Sequence, residues 1–186
     1  MTCIVGLIDK GDVYIGGDSA GIAGLSISIR SDEKVFHNGP FIMGFTTSFR
    51  MGQLLRYKFD PPKQTVNQTD MQYMVTSFID AARVCFKENG FGDKDASTGG
   101  TFLVGYRGKL YRIADDFQVG IPAEPFDAVG SGSNLALGAM FANASTKLTP
   151  EKRIIQALDA ASTFNAGVAP PYYIVKSKIV KKQTKK

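Results

Sequence analysis

The hydrophobic period of this chain switches four times between strand-like and helix-like patterns, and that order admits few architectures. Residues 3–8 and 13–17 are short apolar runs split by Asp9-Lys10-Gly11-Asp12, a hairpin signal of the Gly and Asp kind. Residues 25–29 alternate strictly with serine, as a half-exposed strand does. Residues 34–37 and 41–46, parted by Asn38-Gly39-Pro40, predict a second hairpin. From Ser48 the pattern turns helical, with Met51, Leu54, Leu55 and Phe59 on one face until Pro61-Pro62 stops it. Thr69-Asp70 caps a longer helix on which Met71, Met74, Val75, Phe78, Ile79, Ala82 and Phe86 keep the 3.6 period, ending near Asn89-Gly90.

Strands return at 101–106 and 109–113 around an Arg107-Gly108 turn, with shorter ones at 117–119 and 126–129. An Ala-rich helix over 134–144 follows Gly130-Ser131-Gly132. Another starts at Thr149-Pro150-Glu151 and runs through Ile154, Ile155, Ala157, Leu158 and Ala161, before a last strand at 172–176. Two packed antiparallel sheets with helices on both outer faces satisfy this order, giving an α+β chain built as a four-layer αββα sandwich.

A chain of 186 residues, 44% of them hydrophobic, can bury one full core, so a single domain over 1–175 is expected. The net charge of +5 resembles a nucleic-acid signal until its position is checked. Residues 176–186 hold six lysines and no acid, and without them the remainder is close to −1. The body is therefore no basic scaffold, which argues against nucleic acid, and 176–186 is expected to be a disordered or partner-binding tail. Neither Cys3 nor Cys85 sits in a spaced pair, His37 is the sole histidine, and no apolar run reaches membrane or signal-peptide form. These features predict a cytoplasmic protein without a membrane partner, cofactor, histidine triad or multi-histidine metal site.

The chemistry suggested by the sequence is at the amino end. A small residue behind Met1 is what methionine removal requires, and Thr2 would then carry a free α-amine and a hydroxyl together, base and nucleophile on one residue. An α-amine titrates at about 7.7 to 8, and a nearby ammonium would enlarge its neutral fraction. Lys34 is the candidate for that charge and Asp18, closing Gly16-Gly17-Asp18, for its counter-ion. They lie thirty-two and sixteen residues from Thr2. Cys3 is the rival nucleophile, but as the next strand residue it points the opposite way, into the core.

In this setting the chain resembles the proteasome β-subunit family, especially the HslV-type peptidases and the related Anbu branch. The matching stretches are 2–6, Val13-Tyr14-Ile15-Gly16-Gly17-Asp18-Ser19-Ala20, Lys34-Val35-Phe36, Phe41-Ile42-Met43-Gly44-Phe45 and Val129-Gly130-Ser131-Gly132-Ser133, in family order. The resemblance implies an N-terminal nucleophile (Ntn) hydrolase fold with Thr2 as nucleophile and base, Asp18 and Lys34 as its electrostatic support, and Ser131 as a proton-relay partner. It also implies peptide or protein substrates, homo-oligomeric rings or stacks, and in some relatives an ATPase partner. Gly130-Ser131-Gly132-Ser133 has the look of an anion cradle, but no nucleotide-binding fingerprint accompanies it.

Two departures from the family pattern stand out. Relatives form their oxyanion hole on a glycine-rich turn after the strand that ends here at Gly44-Phe45, and this chain has Thr46-Thr47-Ser48-Phe49. A backbone N–H survives substitution, so Thr47 is the candidate donor, though Cβ groups now crowd the space. Relatives also carry an aspartate near the end of the last helix, where this chain has Thr163-Phe164-Asn165-Ala166-Gly167. Three readings follow: a threonine-type peptidase, a non-catalytic proteasome-like assembly unit such as a phage particle component, or an amidase for small amides. Retention of Met1 would favour the second, because an acylated nitrogen is no base.

Overall fold

The computed structural model describes residues 1–91 and 100–177. One sheet has the strand order β10-β1-β2-β11, formed by β1 (Ile4–Asp9), β2 (Asp12–Gly17), β10 (Phe126–Val129) and β11 (Tyr173–Lys176). The other runs β5-β6-β7-β8-β9, formed by β5 (Val35–Asn38), β6 (Phe41–Phe45), β7 (Phe102–Tyr106), β8 (Lys109–Ile113) and β9 (Val119–Gly120). All pairings are antiparallel.

Three buried clusters map onto the three seams of a four-layer αββα sandwich. Ile4, Val13, Ile15, Val35, Ile42, Leu103 and Leu110 fill the seam between the sheets. Cys3, Val5, Leu7 and Ala128 meet α4 (Ser133–Ala142) and α5 (Pro150–Phe164) through Ala136, Met140, Ile154 and Leu158. Phe41, Met43, Phe102 and Tyr111 meet α1 (Phe49–Tyr57), α2 (Asp70–Tyr73) and α3 (Ile79–Glu88) through Leu54, Tyr73, Ile79 and Phe86. The alternation of β1 separates the first two seams, with Ile4 facing the sister sheet and Cys3 and Val5 the helices.

The expected elements are present, with adjusted ends. The long helix predicted from Thr69 contains a π-helical turn at Met74–Phe78 between α2 and α3. A capping box starts it: Thr69 Oγ1 accepts from the Gln72 amide while Gln72 Oε1 accepts from the Thr69 amide. The run over 117–119 yields only β9, because Phe117 sits at φ 69, outside strand geometry, with its ring against Phe86. Residues 25–29 give β4 (Ser26–Ile29), which among the described residues pairs only with β3 (Ala20–Ala23) in a two-stranded ribbon and is exposed along its whole length rather than half-buried. Lys176 belongs to β11, opposite Tyr14, and bridges Asp12 at 2.8 Å. The rest of the basic tail, 178–186, lies outside the described residues. Among the described residues no helix is long and apolar enough to cross a membrane.

Gly44 sets the closeness of the sheets. A Cβ there would stand 2.6 Å from Ile4 Cγ2 and 2.8 Å from Ile15 Cγ2. Gly44→Ala is expected to lower unfolding stability by about 1–3 kcal/mol through overpacking, read as a lower urea midpoint with an unchanged slope.

Candidate active site

Strand register brings the amino end to its partners. Ile4 stands opposite Val129 on one side and Gly17 on the other, so the residues preceding Ile4 lie between Gly130-Ser131 and Asp18. Two backbone bonds close this junction: the Thr2 carbonyl accepts from the Gly132 amide at 3.2 Å and the Cys3 carbonyl from the Asp18 amide at 3.3 Å. Gly130, at φ 100, is required here because a Cβ would overlap the Thr2 carbonyl. From the second sheet, Val35 pairs with Gly44, and the Phe45 amide donates to the Lys34 carbonyl at 3.1 Å, which sets Lys34 at the same end of the sandwich.

Thr2, Asp18 and Lys34 are all buried. Lys34 Nζ donates to Thr2 Oγ1 at 2.9 Å, to Asp18 Oδ1 at 2.8 Å and to the Ala20 carbonyl at 2.7 Å. Three acceptors meet the three protons of an ammonium, which offsets part of the cost of burying it. Asp18 is held equally firmly. Its Oδ1 also accepts from the Cys3 amide at 3.0 Å, and its Oδ2 accepts from the amides of Ala20 at 2.9 Å and Ala169 at 3.3 Å. Burial lowers the Lys34 pKa from the usual lysine value, with Asp18 pulling the other way.

Ser131 stands at the mouth of the site. The Thr2 nitrogen donates to Ser131 Oγ at 3.3 Å, and Ser131 Oγ donates to Asn165 Oδ1 at 3.2 Å. Met1 is exposed, and its carbonyl accepts a short hydrogen bond from Thr2 Oγ1. Thr2, Asp18 and Lys34, singled out by their spacing, thus stand together, and Ser131, which only the resemblance implied, lies beside the Thr2 nitrogen.

Thr47 sits in the turn between β6 and α1. It is exposed at φ 66, with its Oγ1 3.2 Å from Thr46 Oγ1, and Thr46 is tied to Thr101 at 2.7 Å. A Cβ on Gly130 would come within 3.3 Å of Thr46 Cγ2, so this turn borders the Thr2 carbonyl. Beside it the Phe49 ring lies 5.7 Å from Lys34 Nζ and 3.9 Å under the Arg30 guanidinium, itself paired to Asp32 at 2.6 Å. Sequence reasoning missed Arg30 and Phe49, as well as Ala20 and Ala169. Backbone partners such as the last two leave no mark on residue type. His37 is exposed on β5, a strand and surface position. Among the described residues no group of three or more His, Cys, Asp or Glu side chains is placed to hold a metal ion.

No protein-family model matches the chain, and no curated protein matches its sequence. Solved structures do match its fold. BPH of Thiobacillus denitrificans in complex with epoxomicin is 20% identical, with a TM-score of 0.78 over 94% of this chain and 97% of that one. The eukaryotic HslV from Trypanosoma brucei is 19% identical, with a TM-score of 0.70 over 94% and 98%. Anbu from Yersinia bercovieri is 16% identical, with a TM-score of 0.65 over 95% and 81%. The chain has the fold that these proteins share.

Two measurements check the site. Lys34→Ala leaves the Asp18 carboxylate buried without its cation, and the loss is expected to be about 3 kcal/mol or more, measured by urea unfolding. Cys3 faces the core, and burial, then the Asp18 carboxylate, push its thiol up to about 12. Near neutrality the folded chain therefore holds almost no Cys3 thiolate, and iodoacetamide is expected to alkylate Cys3 only in denaturant.

Proposed function

We propose that this chain is a threonine-type N-terminal nucleophile hydrolase that cleaves peptide bonds through an acyl-enzyme on Thr2 once Met1 is removed. The observation that carries this reading is the buried Lys34 ammonium, 2.9 Å from Thr2 Oγ1 and 2.8 Å from Asp18. Lys34 acts there as a fixed positive charge that favours the neutral α-amine and stabilises negative charge growing on the Thr2 oxygen.

The steps follow from the groups present. The free α-amine of Thr2 takes the hydroxyl proton as Oγ1 attacks the substrate carbonyl carbon. The backbone amide of Thr47 is the donor proposed for the resulting oxyanion. The ammonium on Thr2 returns its proton to the leaving nitrogen as the C–N bond breaks, leaving an ester on Oγ1. A water molecule, deprotonated by the same amine, then attacks the ester carbonyl, and its proton returns to Oγ1 as the acid product leaves. Ser131, beside the Thr2 nitrogen, relays or orients these protons.

Further parts of this reading concern setting. Substrates are peptides or proteins, the working form is a homo-oligomeric ring or stack, and an ATPase partner that feeds substrate is one form such an assembly takes. The compartment is the reducing cytoplasm. A second reading, a non-catalytic assembly unit, draws on Thr47 at φ 66 in the turn and the neutral Asn165 beside Ser131.

Intact-mass measurement of the purified chain before and after epoxomicin separates the two. The hydrolase reading expects loss of one methionine and one covalent adduct on Thr2. Thr2→Ala is expected to abolish the adduct and to cut peptide hydrolysis by about a thousandfold or more. Retained methionine with no adduct would turn the assignment to the assembly unit.

A further inference from the structure

We infer that Asn165 is a positioning residue for Thr2, and that its place is shaped for a neutral amide rather than a carboxylate; the inference rests on the hydrolase reading above. Asn165 is the C-cap of α5. Its Nδ2 donates to the Ser131 carbonyl at 2.8 Å and its Oδ1 accepts from the Gly167 amide at 2.8 Å. A carbonyl only accepts and a backbone N–H only donates, so the side-chain amide fits in one of its two orientations and not the other. Aspartate in the same pose would set a carboxylate oxygen against the Ser131 carbonyl oxygen with no proton between them.

That fixed orientation determines the direction of the Ser131 hydroxyl. Oδ1 draws the Ser131 proton at 3.2 Å, away from the alternative acceptor, the Thr2 carbonyl at 3.5 Å. A lone pair on Ser131 Oγ then faces the Thr2 nitrogen at 3.3 Å. In the processed chain the α-amine would donate one N–H into that lone pair and keep its own lone pair for the Thr2 hydroxyl. The amide at 165 therefore orients the base, although it never touches the reacting atoms.

The same geometry bears on pH. Around Thr2, the end of β2 presents Asp18 and the residue before β5 presents Lys34, and these two already pair at 2.8 Å. The start of β1 presents the neutral Cys3 thiol, the turn before α4 presents Ser131, and the end of α5 presents Asn165. Arg30 lies further out, paired with Asp32. Among these described groups no second carboxylate stands by to hold the amine protonated. The amine thus becomes a competent base at lower pH than it would with a carboxylate at 165.

The test is the rate of Thr2 adduct formation with epoxomicin as a function of pH on the full, methionine-processed chain, with circular dichroism to verify folding. Asn165→Ala is expected to lower the plateau rate about tenfold without moving the midpoint of the ascending limb. Asn165→Asp is expected to move that midpoint upward by about one pH unit. Ser131→Ala should reproduce the loss seen in Asn165→Ala, and the double variant should be no slower than either, since the two side chains act as one unit. A wild-type rate in folded Asn165→Ala, an unmoved midpoint in Asn165→Asp, or multiplicative losses in the double variant would overturn the inference and leave the hydrolase reading standing. A wild-type chain that forms no adduct overturns both.

Discussion

A lysine ammonium and an aspartate carboxylate, buried together at one end of two packed sheets, are the constraint around which this molecule is organised. Taking both charges out of water costs several kcal/mol each, and the site offsets that cost only with near-complete hydrogen bonding. Lys34 uses three protons on three acceptors, and Asp18 receives three backbone amides besides the ammonium. Those amides belong to β1's entry, to β3 and to the segment before β11. Satisfying one ion pair therefore fixes three chain segments, and Thr2, next to Cys3, is positioned as a by-product of stability.

The layer architecture was legible because period and punctuation agreed. The Arg107-Gly108 turn, the cap at Thr69 and the Pro150 helix start each carry a local physical cause, and each stands where the residues placed it. The offsets of Asp18 and Lys34 from Thr2 were legible as well, and the strand registers bring all three side chains together. Illegible were features settled by tertiary contact. The β3–β4 ribbon leaves its sheet-like alternation without a second layer to cover it, so a pattern read as half-buried is exposed. The left-handed backbone at Phe117 and Thr47 appears in neither residue's propensity. Asn165 was visible as a departure, but its two backbone partners were not.

The turn at 46–49 joins the second sheet to α1 beside the site. Thr46 is anchored to Thr101 through both its amide and its hydroxyl, so the turn is braced from the second sheet. Thr47 then bears a left-handed conformation that costs about 1 kcal/mol for a residue with a Cβ. Phe49, two residues on, lies between Phe45 and Arg30, its ring 5.7 Å from Lys34 Nζ. The wall of the site is thus aromatic and cationic, built by residues of α1 and the strand end together.

The seating of the first residues has a practical side. Thr2 is locked by Ser131 and Gly132 behind a glycine that tolerates no side chain, and Met1 leaves the site past Gly167, where even a methyl group would collide with it. An affinity handle or reporter fused ahead of Met1 would keep the Thr2 nitrogen in amide linkage. For anyone producing the protein, the carboxyl side of β11 is the end on which to build.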